Sequence, residues 1–296
     1  MRRYAFVFVV MALCFPLQVR SQGSSVTPPL ATPPATPPGT DATNDLNTIL
    51  MNSTFEVKGP AGPNNETSGT VFVIGKPLKD DPVRAYYVLI TAGHVLDDIV
   101  GDQATLMLRQ KNADGTYHSV PYTIKIRDHG VNLYKKHPDA DVVAMYLGIP
   151  REIKLDLLPI SVLADDARLL ELQVHPGDEL LCLGFPLRLD FNTFPVIRTG
   201  TLASYPLTPS KAIKTFFYNF HVFPGNSGGP VYFTFANRVY RGGTHIGVQQ
   251  GVIGLVIQQE NSRLPGYEGA QLDISMIVPS SFIIETIALL PDSPPQ

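Results

Sequence analysis

Phe223-Pro224-Gly225-Asn226-Ser227-Gly228-Gly229-Pro230-Val231 is the stretch on which the reading of this chain turns. Three glycines surround one serine, and glycine reaches positive φ and lets another strand come close. A turn needs both if it is to present a hydroxyl beside inward-pointing N–H groups. A serine hydroxyl is a weak nucleophile by itself, so it calls for a nearby base and a third group that orients the base. Two other stretches supply candidates. Thr91-Ala92-Gly93-His94 closes an apolar run, and Asp141 opens another, Val142-Val143-Ala144-Met145.

Outward from that turn, short β-rich runs alternate with turn signals. Residues 69–75, 84–91, 104–109, 120–127 and 141–147 read as strands of a first unit, and 178–185, 196–203, 214–222, 231–235, 244–259 (as two strands) and 271–278 as strands of a second. With no helices interleaved, the fold class is all-β, and the pattern alone leaves sandwich and barrel open. After Pro279 the period changes. Phe282, Ile283, Ile287 and Leu290 fall at helical spacing, which predicts a short C-terminal α-helix over 279–290.

The chain has 296 residues, 44% hydrophobic and 17% charged, enough for a sizeable core. Arg2-Arg3 precede an apolar run from Tyr4 to Leu17, and Val19 and Ser21 fit a cleavage site, so residues 1–21 read as a secretory signal peptide, with an uncleaved anchor as the alternative. Three Pro-Pro pairs in residues 22–44 read as an extended linker. Export implies a secreted or periplasmic location with no stable membrane insertion after cleavage. Loss of Arg2, Arg3 and Arg20 would leave a net charge near −6, and no basic patch invites nucleic acid. Cys182 would be the one remaining cysteine, a buried thiol by its apolar neighbours, so no intramolecular disulfide is expected. No His-Glu-x-x-His or paired Cys-x-x-Cys spacing occurs, so neither metal nor cofactor is expected.

Thr91-Ala92-Gly93-His94, Asp141-Val142-Val143-Ala144 and Gly225-Asn226-Ser227-Gly228-Gly229-Pro230, in that order, resemble the trypsin-like (chymotrypsin-fold) serine proteases. The form Pro224-Gly225-Asn226 is similar to the bacterial HtrA-like branch, without its PDZ domain. The resemblance implies two packed six-stranded antiparallel β-barrels, about 50–165 and 166–278, within one domain over 45–291. It implies a serine endopeptidase acting on polypeptides, with Ser227 as nucleophile, His94 as general base and Asp141 orienting the imidazole. Asp139 competes for that last role. The oxyanion donors are then the backbone N–H groups of Gly225 and Ser227. By the same resemblance His221 stands at the base of the primary substrate pocket, with Val256, Ile257 and Gln258 along its wall. No carboxylate is expected at that base, which argues against a preference for Lys or Arg. Asn226 replaces the aspartate that pairs with a freshly cut N-terminus in zymogen-type members. The alternatives are a catalytically idle protease-fold binding protein and an esterase using the same three residues.

Overall fold

The computed structural model describes residues 45–81, 84–150, 153, 155–188, 193–261 and 271–294. The expected signal peptide and proline-rich linker lie outside the described residues. Asp45 caps the first helix, accepting from the N–H groups of Asn47 and Thr48 at 3.4 and 3.3 Å. That helix, α1 (Leu46–Ser53), buries Leu46 and Leu50. Eight residues are too few for a helical period to stand out in the sequence.

The first unit holds β1 (Thr54–Pro60), β2 (Glu66–Pro77), β3 (Ala85–Thr91), α2 (Gly93–Asp97), β4 (Gln103–Lys111), β5 (Tyr117–Lys125), β6 (Arg127–Asp128), β7 (Val131–Asn132), β8 (Lys135–Lys136), β9 (Val143–Tyr146) and β10 (Leu158–Pro159). Its main sheet runs β5-β4-β1-β2-β3-β9-β8, with β10 parallel to β2, while β6 and β7 form a separate ribbon. Strand β1 is not among the strands expected from the sequence, although it is central. Thr54, Phe55, Glu56 and Val57 are all buried, so the alternation that betrays a half-exposed strand is missing. Glu56 is neutralised there by Lys58 at 3.0 Å.

The second unit holds α3 (Asp166–Glu171), β11 (Glu179–Gly184), β12 (Val196–Leu202), α4 (Ser210–Ile213), β13 (Phe216–Asn219), β14 (Pro230–Tyr240), β15 (Gly243–Asn261) and β16 (Gln271–Pro279). These six strands close into a barrel in the order β11-β12-β13-β16-β15-β14. The fold is thus all-β in two units. The second is a six-stranded barrel, and the main sheet of the first has eight strands because short β8 and β10 add to a six-strand path. Residues 244–259 belong to one long strand where two were expected. Register shifts between His245 and Val248 and near Val256 bend it without ending it.

Tyr218, Phe216, Phe233, Ile253 and Val256 fill the second barrel. Phe55, Phe72, Ile74, Leu89, Ile90 and Leu106 fill the first unit, and that core runs on without a break into Leu183, Tyr232, Val252 and Leu255 of the second. Burying one such side chain stabilises by about 1.5–3 kcal/mol, so a shared core is what holds the two units together. The final helix, α5 (Ser280–Ala288), adds Phe282, Ile283 and Ile287 to it. No helix among the described residues is long and apolar enough to cross a membrane.

Candidate active site

Strands β3 and β9 are antiparallel with Thr91 opposite Val143, so the residues after β3 and those before β9 emerge at the same end of the sheet. His94 comes after β3 on the first turn of α2, and Asp141 stands just ahead of β9. His94 Nδ1 lies 2.6 Å from Asp141 Oδ2, and the His94 backbone N–H donates to Oδ1 at 3.1 Å. Burial pushes the Asp141 carboxyl up. The hydrogen bond from the His94 ring, the charges of His94 and Lys136 and the His94 backbone N–H outweigh it, and the carboxyl is held below its ordinary range. An ionised carboxylate only accepts, so Nδ1 carries the proton and Nε2 is left as the basic nitrogen.

Gly93 makes this approach possible. A Cβ there would lie 2.6 Å from Asp141 Oδ1. Asp139 does not reach the imidazole. Its N–H donates to His137 Nδ1 at 3.0 Å, and its carboxylate is exposed, 4.0 Å from Lys214.

The serine turn is two tight turns in series. Asn226 N–H donates to Phe223 O at 3.1 Å and Gly229 N–H to Asn226 O at 2.9 Å. Gly225 and Gly228 occupy the third positions with φ of 98° and 86°, the sign that a type II turn demands, and Pro224 pre-sets the second position of the first turn. Close approach makes the same demand independently. A Cβ on Gly225 would lie 2.1 Å from Phe185 O, and one on Gly228 would lie 2.1 Å from both Thr70 O and Thr91 Oγ1.

Peptide planarity then sets where each N–H points, because C=O and N–H of one trans unit face opposite ways. Pro224 O accepts from Leu187 N–H at 2.8 Å, so the Gly225 N–H faces the other way; Asn226 O is taken by Gly229, so the Ser227 N–H faces away from that bond. Among the described residues neither N–H has an acceptor, whereas those of Asn226, Gly228 and Gly229 all do. Among the described residues this turn therefore carries two free donors, one of them the N–H of Ser227 itself. Leu187, which anchors Pro224, sits at φ 51°, a left-handed conformation for a branched residue.

One residue docks this turn on the first unit. Thr70 of β2 donates its hydroxyl to Gly225 O at 2.6 Å and its N–H to Ser227 O at 2.8 Å. Its hydroxyl also accepts from Phe185 N–H at 3.2 Å, and its carbonyl accepts from the Thr91 hydroxyl at 2.7 Å. The turn is thereby laid against the end of β3, three residues ahead of His94. A fully buried threonine in a strand carries no sequence signal of such a role. Ser227 Oγ donates to Ile257 O at 3.1 Å, and among the described residues no hydrogen bond joins it to His94.

The structure scatters the expected pocket residues. Val256 is fully buried in the second barrel's core, so its side chain lines no pocket. Ile257 is mostly buried and meets Ser227 through its carbonyl, and Gln258 is exposed, its amide donating to Met276 Sδ at 3.3 Å. His221 Nδ1 lies 2.5 Å from Asp273 Oδ1, so a carboxylate does stand beside His221, contrary to expectation. Residue 273 arrives from β16, about fifty positions along the chain, and no local motif points to it. The Arg198 guanidinium lies 4.3 Å from the Phe220 ring and 5.2 Å from the Phe223 ring, and donates to His221 O at 2.8 Å. Asn226 is buried against Gly184, and its Nδ2 finds no partner among the described residues.

The structure is similar to two solved bacterial structures. One is the active form of the Rv3671c protease from M. tuberculosis, at 14% identity and TM-score 0.44 over 92% of this chain and 97% of that one. The other is the protease Anisep from Arthrobacter nicotinovorans, at 14% identity and TM-score 0.47 over 80% of this chain and 94% of that one. At these values neither likeness says what the chain does. No protein-family model matches the sequence, and no curated protein matches it.

Proposed function

We propose that the chain is a secreted serine endopeptidase working through His94, Asp141 and Ser227. The observation that carries this reading is the pair of unpaired N–H groups at Gly225 and Ser227, in a turn laid against the strand end that leads to the His94–Asp141 pair.

Ser227 Oγ attacks the carbonyl carbon of a peptide bond as its proton passes to His94 Nε2. Negative charge develops on the carbonyl oxygen, where the two N–H groups receive it; one such donor contributes about 3–4 kcal/mol of transition-state stabilisation. Asp141 stays ionised and stabilises the imidazolium. Collapse breaks the C–N bond, and His94 returns the proton to the departing amine. Water, deprotonated by the same imidazole, then attacks the acyl carbon; the C–O bond to Ser227 breaks, and His94 returns the proton to Oγ. The hydroxyl's resting bond to Ile257 O is a small obstacle, since half-exposed side chains change rotamer in picoseconds to nanoseconds. Residues 1–21 would carry the chain out of the cytoplasm, to a secreted or periplasmic location.

The test is the release of new amino termini from an unfolded polypeptide by the full-length protein and by Ser227→Ala. Turnover by the former alone supports the endopeptidase; turnover of simple esters without any peptide cleavage would replace it with the esterase reading.

A further inference from the structure

The imidazole–carboxylate pair leaves a second carboxylate unexplained. Asp97 lies on α2, three residues beyond His94 and so on the same side of the helix. Its Oδ1 accepts from the Tyr134 hydroxyl at 2.7 Å, and its Oδ2 meets Lys136 Nζ in a short ion pair. Lys136 ends β8, at the start of the segment that leads to Asp141. The ammonium also borders the Asp141 site. A Cβ built on Gly93 would touch Asp141 Oδ1, Lys136 Cε and Lys136 Nζ at 2.6, 3.2 and 3.4 Å. One cation thus stands between two carboxylates, one on the helix that carries the imidazole and one on the loop that orients it.

We propose that Lys136 is a positioning residue, which fastens the His94 helix to the Asp141 loop through Asp97 and offsets the second carboxylate beside the imidazole. This rests on reading His94 and Asp141 as the base and its orienting carboxylate. Without the cation, Asp97 is a like charge to Asp141 and a competing attractor for the imidazolium. With it, the bond at Asp141 Oδ2 is the single favoured geometry.

The other charged groups around α2 leave this arrangement intact. Asp98 caps the helix at an exposed position, and Asp139 and Lys135 are exposed on the facing loop and strand. From β6, Arg127 donates to the carbonyls of Leu96, Ile99 and Gly101 and to the Tyr134 hydroxyl, so its guanidinium is occupied in holding the helix end. His137, beside Lys136 in sequence, faces Glu285 of α5, at 3.3 Å, and Glu285 is also held by Lys211.

The test uses full-length wild type, Lys136→Met, Lys136→Arg and Asp97→Asn, each first shown to unfold cooperatively. Two readouts are taken against pH. One is the acidic limb of kcat/KM, and the other, independent of turnover, is the titration midpoint of the downfield proton resonance of the His94–Asp141 hydrogen bond. Removing a cation eases protonation of the pair, so Lys136→Met moves both midpoints up by about 0.5–1 pH unit. Removing the anion moves them down in Asp97→Asn. In Lys136→Met kcat falls about tenfold at unchanged KM, and Lys136→Arg restores it, because a geometric loss at the base acts on the chemical step. Salt at about 1 M shrinks both shifts, since the Debye length there is only about 3 Å. Midpoints that stay put, or that move the same way in both charge-removal variants, would overturn the proposal. If Lys136→Met fails to fold, Asp97→Asn against Lys136→Arg decides by the same resonance. Wild type that cleaves nothing but shows the opposed resonance shifts would overturn the endopeptidase reading and leave the positioning role standing.

Discussion

The hydroxyl of Thr70, on a strand of the first unit, donates to the carbonyl of Gly225 in the serine turn of the second at 2.6 Å. Because the same threonine also gives its N–H to Ser227 O, it holds the carbonyl on each side of Asn226. The turn that presents Ser227 is therefore referenced to the unit that carries His94. Thr70→Val keeps the shape and removes the hydroxyl, leaving Gly225 O and Phe185 N–H without that partner. The expected cost is about 1–3 kcal/mol of stability for buried polar groups left unsatisfied. On the proposed mechanism, a drop in kcat of about tenfold to a hundredfold should accompany it as the free N–H groups of Gly225 and Ser227 lose their setting. Urea unfolding and steady-state kinetics on the one variant check both.

Gly93→Ala tests the approach of the carboxylate. The added Cβ would meet Asp141 Oδ1 at 2.6 Å, so the carboxylate must move off the imidazole. Peptide cleavage should fall at least about a hundredfold, as it does when reacting groups are displaced by about an ångström. A change in Tm of a few degrees at most is expected, since φ at Gly93 is ordinary for any residue. The same substitution at Gly225 or Gly228, where φ is positive and the contact is with backbone oxygens, should cost stability as well.

How much of the fold and the site was legible in the sequence depends on where each feature draws its support. The serine turn is written locally. Pro224, Gly225 and Gly228 each answer a need of the turn itself, and His94 stands at a strand end whose apolar run is easy to see. Asp141 was separable from Asp139 only through the strand after it. Thr70, Lys136 and Asp97 gave no sign, because their roles exist only once β2, β8 and α2 are brought together. Strand β1 was hidden by being buried on both faces, and α1 by its shortness. The pocket residues fared worst. Val256 was assigned to the pocket wall by the resemblance, but its side chain is buried in the barrel core, while Asp273 enters from a distant strand.

Asp141 makes folding stability depend on pH in a defined window. Its carboxyl is held below the ordinary value in the folded state, so the stability it contributes is present in full above about pH 4, the unfolded value, and is lost as pH falls through the folded one. Asp141→Asn should flatten that part of the stability curve, seen by comparing urea midpoints of the two proteins between acidic and neutral pH. The same variant should lose about 10⁴ in kcat through the wrong tautomer of His94.

Arg109 is buried beneath the first unit's edge, its guanidinium 4.3 Å from the Phe55 ring and 4.5 Å from the Phe194 ring. It donates to the carbonyls of Met51 and Asn52, at the end of α1, and of Thr193, and burial lowers its pKa to about 9. Arg109→Met keeps much of the volume and strips three carbonyls of their donor. It should destabilise by about 2–4 kcal/mol, measured by chemical unfolding.

Cys182 is a quiet thiol. Burial pushes its pKa up to about 12, and among the described residues its Sγ makes one hydrogen bond, to the Leu183 carbonyl at 3.6 Å. The folded protein should resist iodoacetamide at pH 8 and react fully in denaturant, as mass spectrometry would show; ready labelling of the native form would mean that this strand opens locally.

An activated nucleophile at Ser227 is the central claim. Treating the purified protein with a fluorophosphonate and mapping the modified residue by mass spectrometry tests it in one step, with His94→Ala and Ser227→Ala as controls. Modification at Ser227 in wild type and in neither variant is the predicted result. A folded wild-type protein that stays unmodified, or one labelled equally well without His94, would contradict it.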